Sequence, residues 1–518
     1  ESSLQHLYQG GLLIINEDSF QDKDWQKAGI EKSFLDNCAE HYHIVSFPLI
    51  SQTLLAVKDL DLTKPQATKT KNFYVLGLVL WLFDLPTATC QAFIAKKFHA
   101  KPDIAKANEA SLLAGYNYAM TLELSRREYM LGQTNRTPGE YRQITGVEAL
   151  GLALATVTTH TQTPMLVSGY PITPASSILH ECARLSDFGI QLIQAEDEIA
   201  AICACIGAAY GGRLALTCTS GPGLDLKSES LGLAVVTELP LVLVDVQRAG
   251  ASTGLPTKTG QSDLRQALYG RHGEAPLPVL AASTAADCFN TIIEAFKIAI
   301  KYMTPVIVLL DAYLANAAEP WELPDVSTLD IPKPEFNKFA KPFQRDEFLS
   351  RSWNLPGTPG YIYQLGGLEK QGEEGRVSYD AENHQNMVRI RAEKIQGINR
   401  EYSPTLIEGN PMASILLIGW GSTYGSLKSA VRQAEELGLA IAYVHLRHIN
   451  PLPQDLAGIL KKFDKILVAE LNSGQLCQLL RATYLVDAQS ISQCNGQPFS
   501  VNYLVNIIKA ESNYEHSV

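Results

Sequence analysis

Glu198 is the residue whose type and position most clearly indicate chemistry. The residues that follow it, Ile-Ala-Ala-Ile-Cys-Ala-Cys-Ile-Gly-Ala-Ala up to position 209, carry no charge and form no polar face. A helix that is apolar all round is typically buried, and the residues three, four and seven positions on are Ala201, Ile202 and Cys205. Because burying a carboxylate without a partner costs several kcal/mol, we expect Glu198 to have a binding partner in a site.

A purely structural role for Glu198 is the alternative interpretation. Carboxylates are common in the first turn of a helix, because the free N–H groups and the helix dipole favour them there, and a buried arginine would also neutralise one. Glu196 and Asp197 precede Glu198, however, and can already fill the capping role. For Glu198 alone the two interpretations stand level, and the neighbouring motifs decide between them.

Other polar residues stand where predicted strands end. Short apolar segments separated by helical stretches predict strands at Met165–Ser168, Ile190–Gln194, Leu214–Cys218, Leu241–Val246 and Val306–Leu310. Segments of this kind indicate a parallel sheet with both faces covered, in which ligands bind at the carboxyl ends of the strands. Gly169–Pro174, Thr219–Gly223 and Arg248 lie at three such ends. The structural alternatives are that Thr219–Gly223 form only a tight turn and that Arg248 only anchors a loop.

The composition argues against several classes of function. At 518 residues the chain is long enough for about three domains. Its 43 Lys and Arg against 54 Asp and Glu give a net charge of -11, which argues against nucleic acid or a membrane surface as partner. No apolar run reaches the ~18 residues of a membrane-spanning helix. The nine cysteines are scattered, which fits reduced thiols in the cytoplasm, and none has the spacing of a zinc or iron–sulfur site, so we expect no metal on this chain.

The chain divides into regions of different character. Residues 1–125 mix helical segments with predicted strands at Gly11–Ile15 and His43–Phe47, and because the region opens almost directly into a strand we expect part of a domain. A charged linker at 126–143 and the α/β region 144–320 follow, and then a proline-rich, polar connector at 321–412. The last region is α/β again, at 413–518, with strands predicted at Ile415–Ile418, Ala440–Leu446 and Lys465–Ala469.

The glycine cluster Gly419–Gly425 has a weak resemblance to a dinucleotide-binding loop. It follows a predicted strand and opens a helix, but its third glycine is displaced from the usual spacing. No acidic residue closes the next predicted strand. A nicotinamide or flavin site there is therefore not favoured.

Six segments of the central region occur in an order that is specific to one family. They are Gly-Tyr-Pro-Ile-Thr-Pro at 169–174, Gln-Ala-Glu-Asp-Glu-Ile-Ala-Ala at 194–201, Thr-Ser-Gly-Pro-Gly at 219–223, Val-Asp-Val-Gln-Arg at 244–248, Ser-Thr-Gly-Leu-Pro-Thr-Lys at 252–258 and Gly-Arg-His-Gly-Glu at 270–274. These segments resemble the α subunit of 2-oxoacid:ferredoxin oxidoreductases. Residues 1–125 resemble a partial γ domain, which one branch fuses ahead of α, and 413–518 resemble the C-terminal domain of the transketolase type. The fusion, together with the segments Gly366–Lys370 and Glu382–His384, resembles the 2-oxoglutarate branch most closely.

The resemblance implies a fold and a cofactor. It implies that 144–320 form an α/β domain with a doubly wound parallel sheet, of the type that binds the pyrimidine of thiamine diphosphate. In this family a glutamate, here Glu198, hydrogen-bonds N1′ of the aminopyrimidine and favours the imino tautomer, whose nitrogen removes the proton from C2 of the thiazolium. The cofactor performs the carbanion chemistry, while the protein supplies position and electrostatics.

The resemblance also implies roles for other residues. Thr173 matches the threonine that faces substrate and cofactor, and Arg248 matches the arginine that contacts the substrate carboxylate or coenzyme A. Thr257 and Lys258 lie on the loop beside Arg248 and are further candidates for contact with substrate or coenzyme A. The residues implied to bind the cofactor are Glu198, Tyr170, Pro171, Thr173 and Ser220.

A partner subunit is implied by a motif that the sequence lacks. Thiamine enzymes bind Mg²⁺ and the diphosphate through Gly-Asp-Gly and a later Asn, and this sequence contains no Gly-Asp-Gly. In the family a β subunit supplies that motif and a [4Fe-4S] cluster, so we expect a shared thiamine diphosphate site and an (αβ)2 heterotetramer. The implied reaction is oxidative decarboxylation of a 2-oxoacid, most closely 2-oxoglutarate, with coenzyme A as acyl acceptor and ferredoxin as electron acceptor. Reductive carboxylation is its reverse.

Three alternatives stay open at this point. The pyruvate or broad-specificity branch is one, because Gly260 stands where a glutamate is expected in close relatives of the 2-oxoglutarate branch. A lipoyl-dependent 2-oxoacid dehydrogenase shares the split thiamine site but transfers the acyl group to lipoamide. A non-catalytic scaffold subunit is the third, and the presence of Glu198, Thr173 and Arg248 argues against it.

Overall fold

The structure, a computed structural model, describes residues 4, 7, 9–20, 22–29, 33–122, 131 and 136–515 of the chain. It divides into two compact units, Glu1–Pro138 and Gly139–Val518. Among the described residues, no helix is both long and apolar enough to cross a membrane. All nine cysteines carry free thiols.

The first unit combines a parallel strand pair with a group of helices. Its elements are β1 (Leu12–Asn16), α1 (Asp22–Ala28), α2 (Ser33–Ala39), β2 (His43–Phe47), α3 (Leu49–Ala56), α4 (Lys64–Lys69), α5 (Lys71–Leu82), α6 (Ala88–Lys97) and α7 (Pro102–Met120). β1 and β2 pair in parallel. Helices α5 and α7 approach closely because glycines stand at their contact: a Cβ at Gly77 would lie 2.0 Å from the Leu112 carbonyl oxygen, and one at Gly115 1.9 Å from that of Tyr74.

The second unit begins with strands and helices that alternate. They are β3 (Tyr141–Thr145), α8 (Gly146–Thr161), β4 (Met165–Gly169), α9 (Ser176–Ala183), β5 (Ile190–Gln194), α10 (Glu198–Tyr210), β6 (Leu214–Thr219), α11 (Gly221–Leu226), α12 (Ser228–Thr237), β7 (Leu241–Gln247), α13 (Leu264–Tyr269), β8 (Val279–Ala281), α14 (Asp287–Tyr302), β9 (Pro305–Asp311), α15 (Ala312–Asn316) and β10 (Ala318–Glu322).

The remainder of this unit contains the connector and a second α/β layer. Its elements are β11 (Lys370–Gln371), β12 (Arg376–Val377), α16 (Ala381–Gly397), β13 (Glu408–Gly409), β14 (Ile415–Trp420), α17 (Tyr424–Glu436), β15 (Ala442–Leu446), β16 (His448–Asn450), α18 (Leu456–Leu460), β17 (Lys465–Glu470), α19 (Gln475–Tyr484), β18 (Ala488–Ser492) and α20 (Val501–Glu515).

Two sheets organise the second unit. The larger has the order β16-β8-β9-β7-β6-β4-β5 and is parallel except for β16. Alternate residues of β7 pack in opposite layers: Val242, Val244 and Val246 lie in one core, and Leu241 and Leu243 lie in the other. The smaller sheet has the order β13-β15-β14-β17-β18 and is parallel except for β13. Because β16 follows β15 in the chain, the C-terminal region contributes the edge strand of the larger sheet.

The strands predicted for the central region are all present. β4, β5, β6, β7 and β9 end at the predicted residue or one residue beyond it, and they are parallel as predicted. The predicted linker, in contrast, extends too far. Residues 141–143 belong to β3, whose partner β10 lies far along the chain and gives no local signal. Residues 126–130 and 132–135 of that linker lie outside the described residues.

Helix α10 differs from its prediction, because it is not buried all round. Ala201, Ile202 and Cys205 are buried, but Ile199 is 52% exposed and Cys203 is exposed as well. A continuous apolar sequence indicates that both faces of a helix avoid water, but it does not say that the same chain covers both. This chain covers one face of α10 and leaves the other open.

The connector is fixed to the larger sheet by a buried group of charges. Glu238, at the end of α12, accepts hydrogen bonds from Arg345 at 2.7 and 2.9 Å and from Lys394 at 2.7 Å. Burial opposes the ionisation of Glu238, but the cations of Lys394 and Arg345 outweigh it and hold its pKa well below its usual range. Since Glu238 lies just before β7, this contact is at the amino end of the strands.

Candidate active site

The predicted site residues gather at the carboxyl edge of the larger sheet. Tyr170 follows β4, Glu198 comes after β5, Ser220 follows β6 and Arg248 follows β7. These four strands are consecutive neighbours in the sheet, in the order β7-β6-β4-β5. Because parallel strands end on the same side of a sheet, the fold brings these residues to one edge.

Glu198 begins α10, but the capping role belongs to its neighbour. The side chain of Asp197 accepts a 2.8 Å hydrogen bond from the backbone N–H of Ala200 and caps the helix. Glu198 is half-buried, and its side chain lies near the Tyr170 hydroxyl, because both would contact a Cβ added at Gly223. The neighbour of Glu198 within this chain is therefore a tyrosine, and Asp197 fills the capping role.

The Tyr170 hydroxyl lies between Glu198 and Thr219. Its oxygen is 2.9 Å from Oγ1 of Thr219, and the ring is buried. Burial, with a smaller contribution from the Glu198 carboxylate, raises the pKa of Tyr170 well above its usual range. The hydroxyl therefore stays protonated and remains a donor.

Gly223 allows these groups to meet. A Cβ at this position would lie 2.0 Å from the Tyr170 hydroxyl oxygen, 2.1 Å from Oγ1 of Thr219 and 3.0 Å from Cγ of Glu198. No side chain fits into that space. The last glycine of the Thr-Ser-Gly-Pro-Gly segment is thus required by packing around Glu198.

Lys227 belongs to the same group, although nothing in its sequence context indicates it. The residue is fully buried, and its Nζ donates a 2.7 Å hydrogen bond to the backbone carbonyl of Glu198. Nζ also lies 3.3 Å from Oγ1 of Thr217 and 5.3 Å from the centre of the Tyr170 ring. Burial lowers the pKa of Lys227 to about 8. A single lysine between two helical segments is typical of a surface residue, so no sequence pattern selects it.

Ser220 offers a hydroxyl to the site. It is completely buried, and its Oγ has no hydrogen-bond partner in the described part of the chain. Buried polar atoms without a partner are rare and mark places where a ligand atom is expected. Together with the half-buried carboxylate of Glu198, this hydroxyl fits the polar edge of an aminopyrimidine.

Arg248 is in direct contact with the backbone of Thr173. Nη1 of Arg248 donates a 2.7 Å hydrogen bond to the Thr173 carbonyl oxygen. Arg248 is only 8% exposed, and its Nε is buried without a partner among the described residues. Pro171 and Thr173 are exposed. The guanidinium is thus held against the 169–174 segment, and its Nε–H is unused among the described residues.

The loop after Arg248 folds back on itself. The N–H of Ala249 donates a 3.0 Å hydrogen bond to the Lys258 carbonyl, which places the backbone of Lys258 beside Arg248. Lys258 also contacts Gly496: a Cβ added at Gly496 would lie 2.8 Å from the Cβ of Lys258. Thr257 and Lys258 are both exposed, so their side chains are accessible at the mouth of the site.

Gln261 anchors the far end of this loop to the smaller sheet. Its side chain donates a 2.8 Å hydrogen bond to the Trp420 carbonyl and accepts one of 2.9 Å from the N–H of Leu471. A Cβ at Gly421 would lie 2.5 Å from Nε2 of Gln261. The glycine cluster at 419–425 therefore makes room for a side chain of the neighbouring layer.

Two buried aspartates lie near Arg248, and sequence analysis did not select them. Asp245 is fully buried in β7, and the carboxyl group it faces is that of Asp263. Burial and the charge of Asp263 raise the pKa of Asp245 well above its usual range, while burial raises that of Asp263 to about 6. Ionisation of both carboxyl groups together is therefore disfavoured. An aspartate inside an otherwise apolar predicted strand was the signal that could have identified it.

Comparison with known proteins identifies the family. The family model described as pyruvate flavodoxin/ferredoxin oxidoreductase, thiamine diP-bdg, matches residues 160–389, and that described as pyruvate:ferredoxin oxidoreductase core domain II matches 413–507. The 2-oxoglutarate oxidoreductase subunit KorA of Mycobacterium tuberculosis is 45% identical over 508 residues, which are 97% of this chain and 77% of that subunit. The chain belongs to the 2-oxoacid:ferredoxin oxidoreductase family. It is an α subunit of the KorA type and contains the thiamine diphosphate-binding domain of that family.

Two more relatives support the assignment of this KorA-type chain. The 2-oxoglutarate synthase subunit KorA of Archaeoglobus fulgidus is 34% identical over 347 residues, which are 66% of this chain and 93% of that subunit. The solved structure of 2-oxoglutarate:ferredoxin oxidoreductase from Magnetococcus marinus, with 2-oxoglutarate, coenzyme A and succinyl-CoA bound, matches with a TM-score of 0.85 at 29% identity, over 98% of this chain and 86% of that one. The resemblance inferred from the motifs is confirmed.

Proposed function

We propose that this KorA-type chain acts on 2-oxoglutarate, which it converts with coenzyme A to succinyl-CoA and CO2 while ferredoxin accepts the electrons. The relatives named for 2-oxoglutarate support the substrate, and the solved relative holds both the oxoacid and coenzyme A. One observation carries the proposal: the Glu198 carboxylate is free of the capping role and lies beside Tyr170 at the carboxyl edge of a parallel sheet. Reductive carboxylation, the reverse reaction, uses the same groups.

Glu198 binds the aminopyrimidine in this proposal. Thiamine diphosphate, when bound, supplies the carbanion chemistry of decarboxylation. Glu198 hydrogen-bonds N1′ and exchanges a proton with that atom, while the Tyr170 hydroxyl orients its carboxylate. Ser220 offers its unused hydroxyl to the cofactor, and Pro171 and Thr173 form the exposed side of the same pocket.

Arg248 recognises an anionic group of the substrate or of coenzyme A. Its guanidinium is fixed by the Thr173 carbonyl and retains Nε as a free donor among the described residues. A planar guanidinium suits carboxylate and phosphate groups because it donates two parallel hydrogen bonds. Thr257 and Lys258, on the exposed loop beside it, contact the outer part of the same ligand.

A β subunit completes the site. The exposed apolar face of α10, which includes Ile199 and Cys203, immediately follows Glu198. Apolar surface next to a half-buried functional carboxylate favours a protein partner that covers both. We propose that this partner supplies the diphosphate motif with its Mg²⁺ and a [4Fe-4S] cluster, in an (αβ)2 heterotetramer. The nine free thiols fit a cytoplasmic location.

The role of Glu198 is tested by a pair of matched substitutions in the complex with its β subunit. Glu198→Gln keeps the shape of the side chain and should lower turnover at least about 100-fold, the scale of lost acid–base assistance. Glu196→Gln makes the same chemical change at an exposed position two residues away and should leave turnover unchanged. A Glu198→Gln complex with near-native turnover would show that this carboxylate has no part in the reaction.

Acceptor and substrate specificity are tested with the same purified complex. We expect reduction of methyl viologen that depends on coenzyme A and 2-oxoglutarate, with a much lower kcat/KM for pyruvate. Transfer of the acyl group to lipoamide would instead assign the chain to the lipoyl-dependent dehydrogenases, and equal rates with pyruvate would indicate the broad-specificity branch.

A further inference from the structure

We propose that Lys227 is a positioning residue for the thiamine diphosphate site, which fixes the first turn of α10 and thereby the carboxylate of Glu198. The proposal rests on the role proposed above for Glu198. The buried Nζ of Lys227 already bonds the Glu198 carbonyl and lies beside the Thr217 hydroxyl, so its donors are directed at these groups and not at a ligand. Any effect on the site must therefore pass through the residues that it touches.

The ammonium group of Lys227 joins three separate parts of the site. It donates to the backbone carbonyl of Glu198 at 2.7 Å, where α10 begins. It lies 3.3 Å from the hydroxyl of Thr217 in β6, and 5.3 Å from the centre of the Tyr170 ring, which follows β4. The ammonium group of Lys227 thus fixes the spacing between Glu198, which would bind the pyrimidine, and Tyr170, which lies beside the Glu198 carboxylate.

Burial of this lysine is costly and needs a reason. Lysine is almost never fully buried unless a counter-charge pairs with it. Here its nearest partners in the described part of the chain are a carbonyl, a hydroxyl and an aromatic ring, and burial accordingly lowers its pKa to about 8. A methionine of similar length would fill the space without that cost. We attribute the presence of a lysine here to the groups that its ammonium holds in place, the Glu198 carbonyl and the Thr217 hydroxyl.

Glu198 is sensitive to such a contact because of its place in the helix. It is the first residue of α10, and the described cap comes from the side chain of Asp197 alone. Helix ends fray readily, and a displacement of about 1 Å at a reacting group can cost about 100-fold in rate. The bond from Lys227 to the Glu198 carbonyl restrains the residue itself rather than the body of the helix.

A double-mutant cycle in the complete complex with the β subunit tests the proposal. The variants are Lys227→Met, Glu198→Gln and the double variant, and the measured quantity is the dissociation constant of thiamine diphosphate by calorimetry, with the melting temperature alongside. Each single change should weaken binding about tenfold. The double variant should bind no more weakly than Glu198→Gln alone, within about twofold, because Lys227 acts through Glu198.

Lys370→Met is the matched control for the loss of a buried ammonium. Lys370 is 5% exposed, and its Nζ also donates to backbone carbonyls, those of Gly366 and Leu368 in the connector. Its replacement should lower the melting temperature and leave thiamine diphosphate affinity unchanged. If Lys227→Met does not fold, Lys227→Gln keeps a neutral donor of similar size and should weaken binding less than tenfold but measurably.

The outcomes separate the two proposals. If Glu198→Gln binds thiamine diphosphate as the native complex does, the function proposed for Glu198 fails. If Glu198→Gln weakens binding while Lys227→Met and Lys227→Gln do not, only the role of Lys227 fails. If the losses of the two single variants multiply in the double variant, Lys227 acts independently of Glu198, and the positioning role is overturned.

Discussion

Two adjacent carboxylates at the start of α10 have different tasks because they stand on different sides of the helix boundary. Asp197 has an extended backbone and accepts the N–H of Ala200, which is the geometry of an N-cap. Glu198 is already helical, and side chains in a helix lean toward its N-terminus, where Tyr170 lies. In the sequence alone both residues suited either role. Asp197 caps the helix with its short side chain, so the longer side chain of Glu198 is available to the site.

Arg248→Lys separates geometry from charge at the substrate end. Lysine keeps the positive charge but loses the planar fork, so KM for the oxoacid or coenzyme A should rise, or kcat fall, at least about tenfold, which is about 1.4 kcal/mol. The melting temperature should barely move. Arg213→Lys, at an exposed position, is the control and should leave the kinetics unchanged. Unfolding of Arg248→Lys with native kinetics in the folded fraction would make Arg248 a loop anchor.

Asp245→Asn tests the shared proton. The folded-state pKa values of Asp245 and Asp263 are raised above the unfolded value of about 3.9, so the folded protein binds protons that the unfolded chain has released. The stability associated with this pair is therefore present at low pH and lost as pH rises through about 6 and above. Asparagine at 245 does not titrate, and we expect its amide to donate to Asp263 at every pH.

The measurement is thermal unfolding of wild type and Asp245→Asn between pH 5 and pH 8. The variant should melt a few degrees above wild type at pH 8, and the difference should narrow toward pH 5, because the unfolded chain takes up its own proton only at about pH 4. The charged groups that face the pair are Asp225 and Arg248, and both are unchanged in the comparison. A difference that does not depend on pH would show that Asp245 is not protonated in the native protein.

At the residue scale the sequence predicted the site residues that stand in the motif segments, but not Lys227 or the pairing of Asp245 with Asp263. Glu198 and Arg248 stood in recognisable segments, and the structure places both at the expected edge. Lys227 and the partnership of Asp245 with Asp263 depend on which helix packs under which strand. That information is tertiary, and no local pattern contains it.

Secondary structure was predictable where burial imposes one simple pattern. A strand between two layers of helices must be largely apolar on both faces, so β4, β6, β7 and β9 appear as mainly apolar runs. The same rule wrongly predicted that this chain buries α10 on all sides. An apolar helix sequence is equally compatible with a face that another subunit covers. β3 was missed because its polar sequence is explained only by its partner β10.

Gly223→Ala tests the close packing of α11 against the site. The added methyl would overlap the hydroxyl oxygens of Tyr170 and Thr219, so we expect a loss of about 1–3 kcal/mol in stability and weaker thiamine diphosphate binding in the complex. Gly232→Ala is the control: it lies in α12 with no atom within 4 Å of the new Cβ. It should stabilise the protein by about 0.5–1 kcal/mol. Equal effects of the two substitutions on cofactor binding would contradict the packing role of Gly223.

The second unit is held together by contacts that cross its sequence regions. β16, from the C-terminal region, forms the edge of the larger sheet, and His448 within it bonds Glu294 of α14 at 2.6 Å. At the carboxyl edge, Gln261 joins the loop of Arg248 to the smaller sheet. At the amino edge, the connector contributes Arg345 and Lys394 to Glu238. These contacts predict a single cooperative unfolding transition for residues 139–518, although the sequence reads as three regions.

Glu238→Gln tests whether the connector contributes to that cooperativity. The change leaves Lys394 and Arg351 buried, at 4% and 2% exposure, together with Arg345, and removes the only carboxylate that bonds Lys394 in the described chain. Breaking such a buried pair typically costs about 3–5 kcal/mol, so the urea midpoint should fall sharply. Because the folded-state pKa of Glu238 is lowered, its stabilisation is present at neutral pH and lost on acidification below about pH 4.

Glu393→Gln, which removes an exposed ion pair with Arg389 in the connector helix α16, should change stability by less than about 0.5 kcal/mol. If the connector were an independent module, Glu238→Gln would split the unfolding curve and leave the sheet as stable as before. We expect one unfolding transition at a lower urea midpoint. The reason is that the buried cations of the connector, Arg345 and Lys394, are neutralised by Glu238 beside the sheet. The distance from Glu238 to the carboxyl edge also predicts that folded Glu238→Gln protein binds thiamine diphosphate normally.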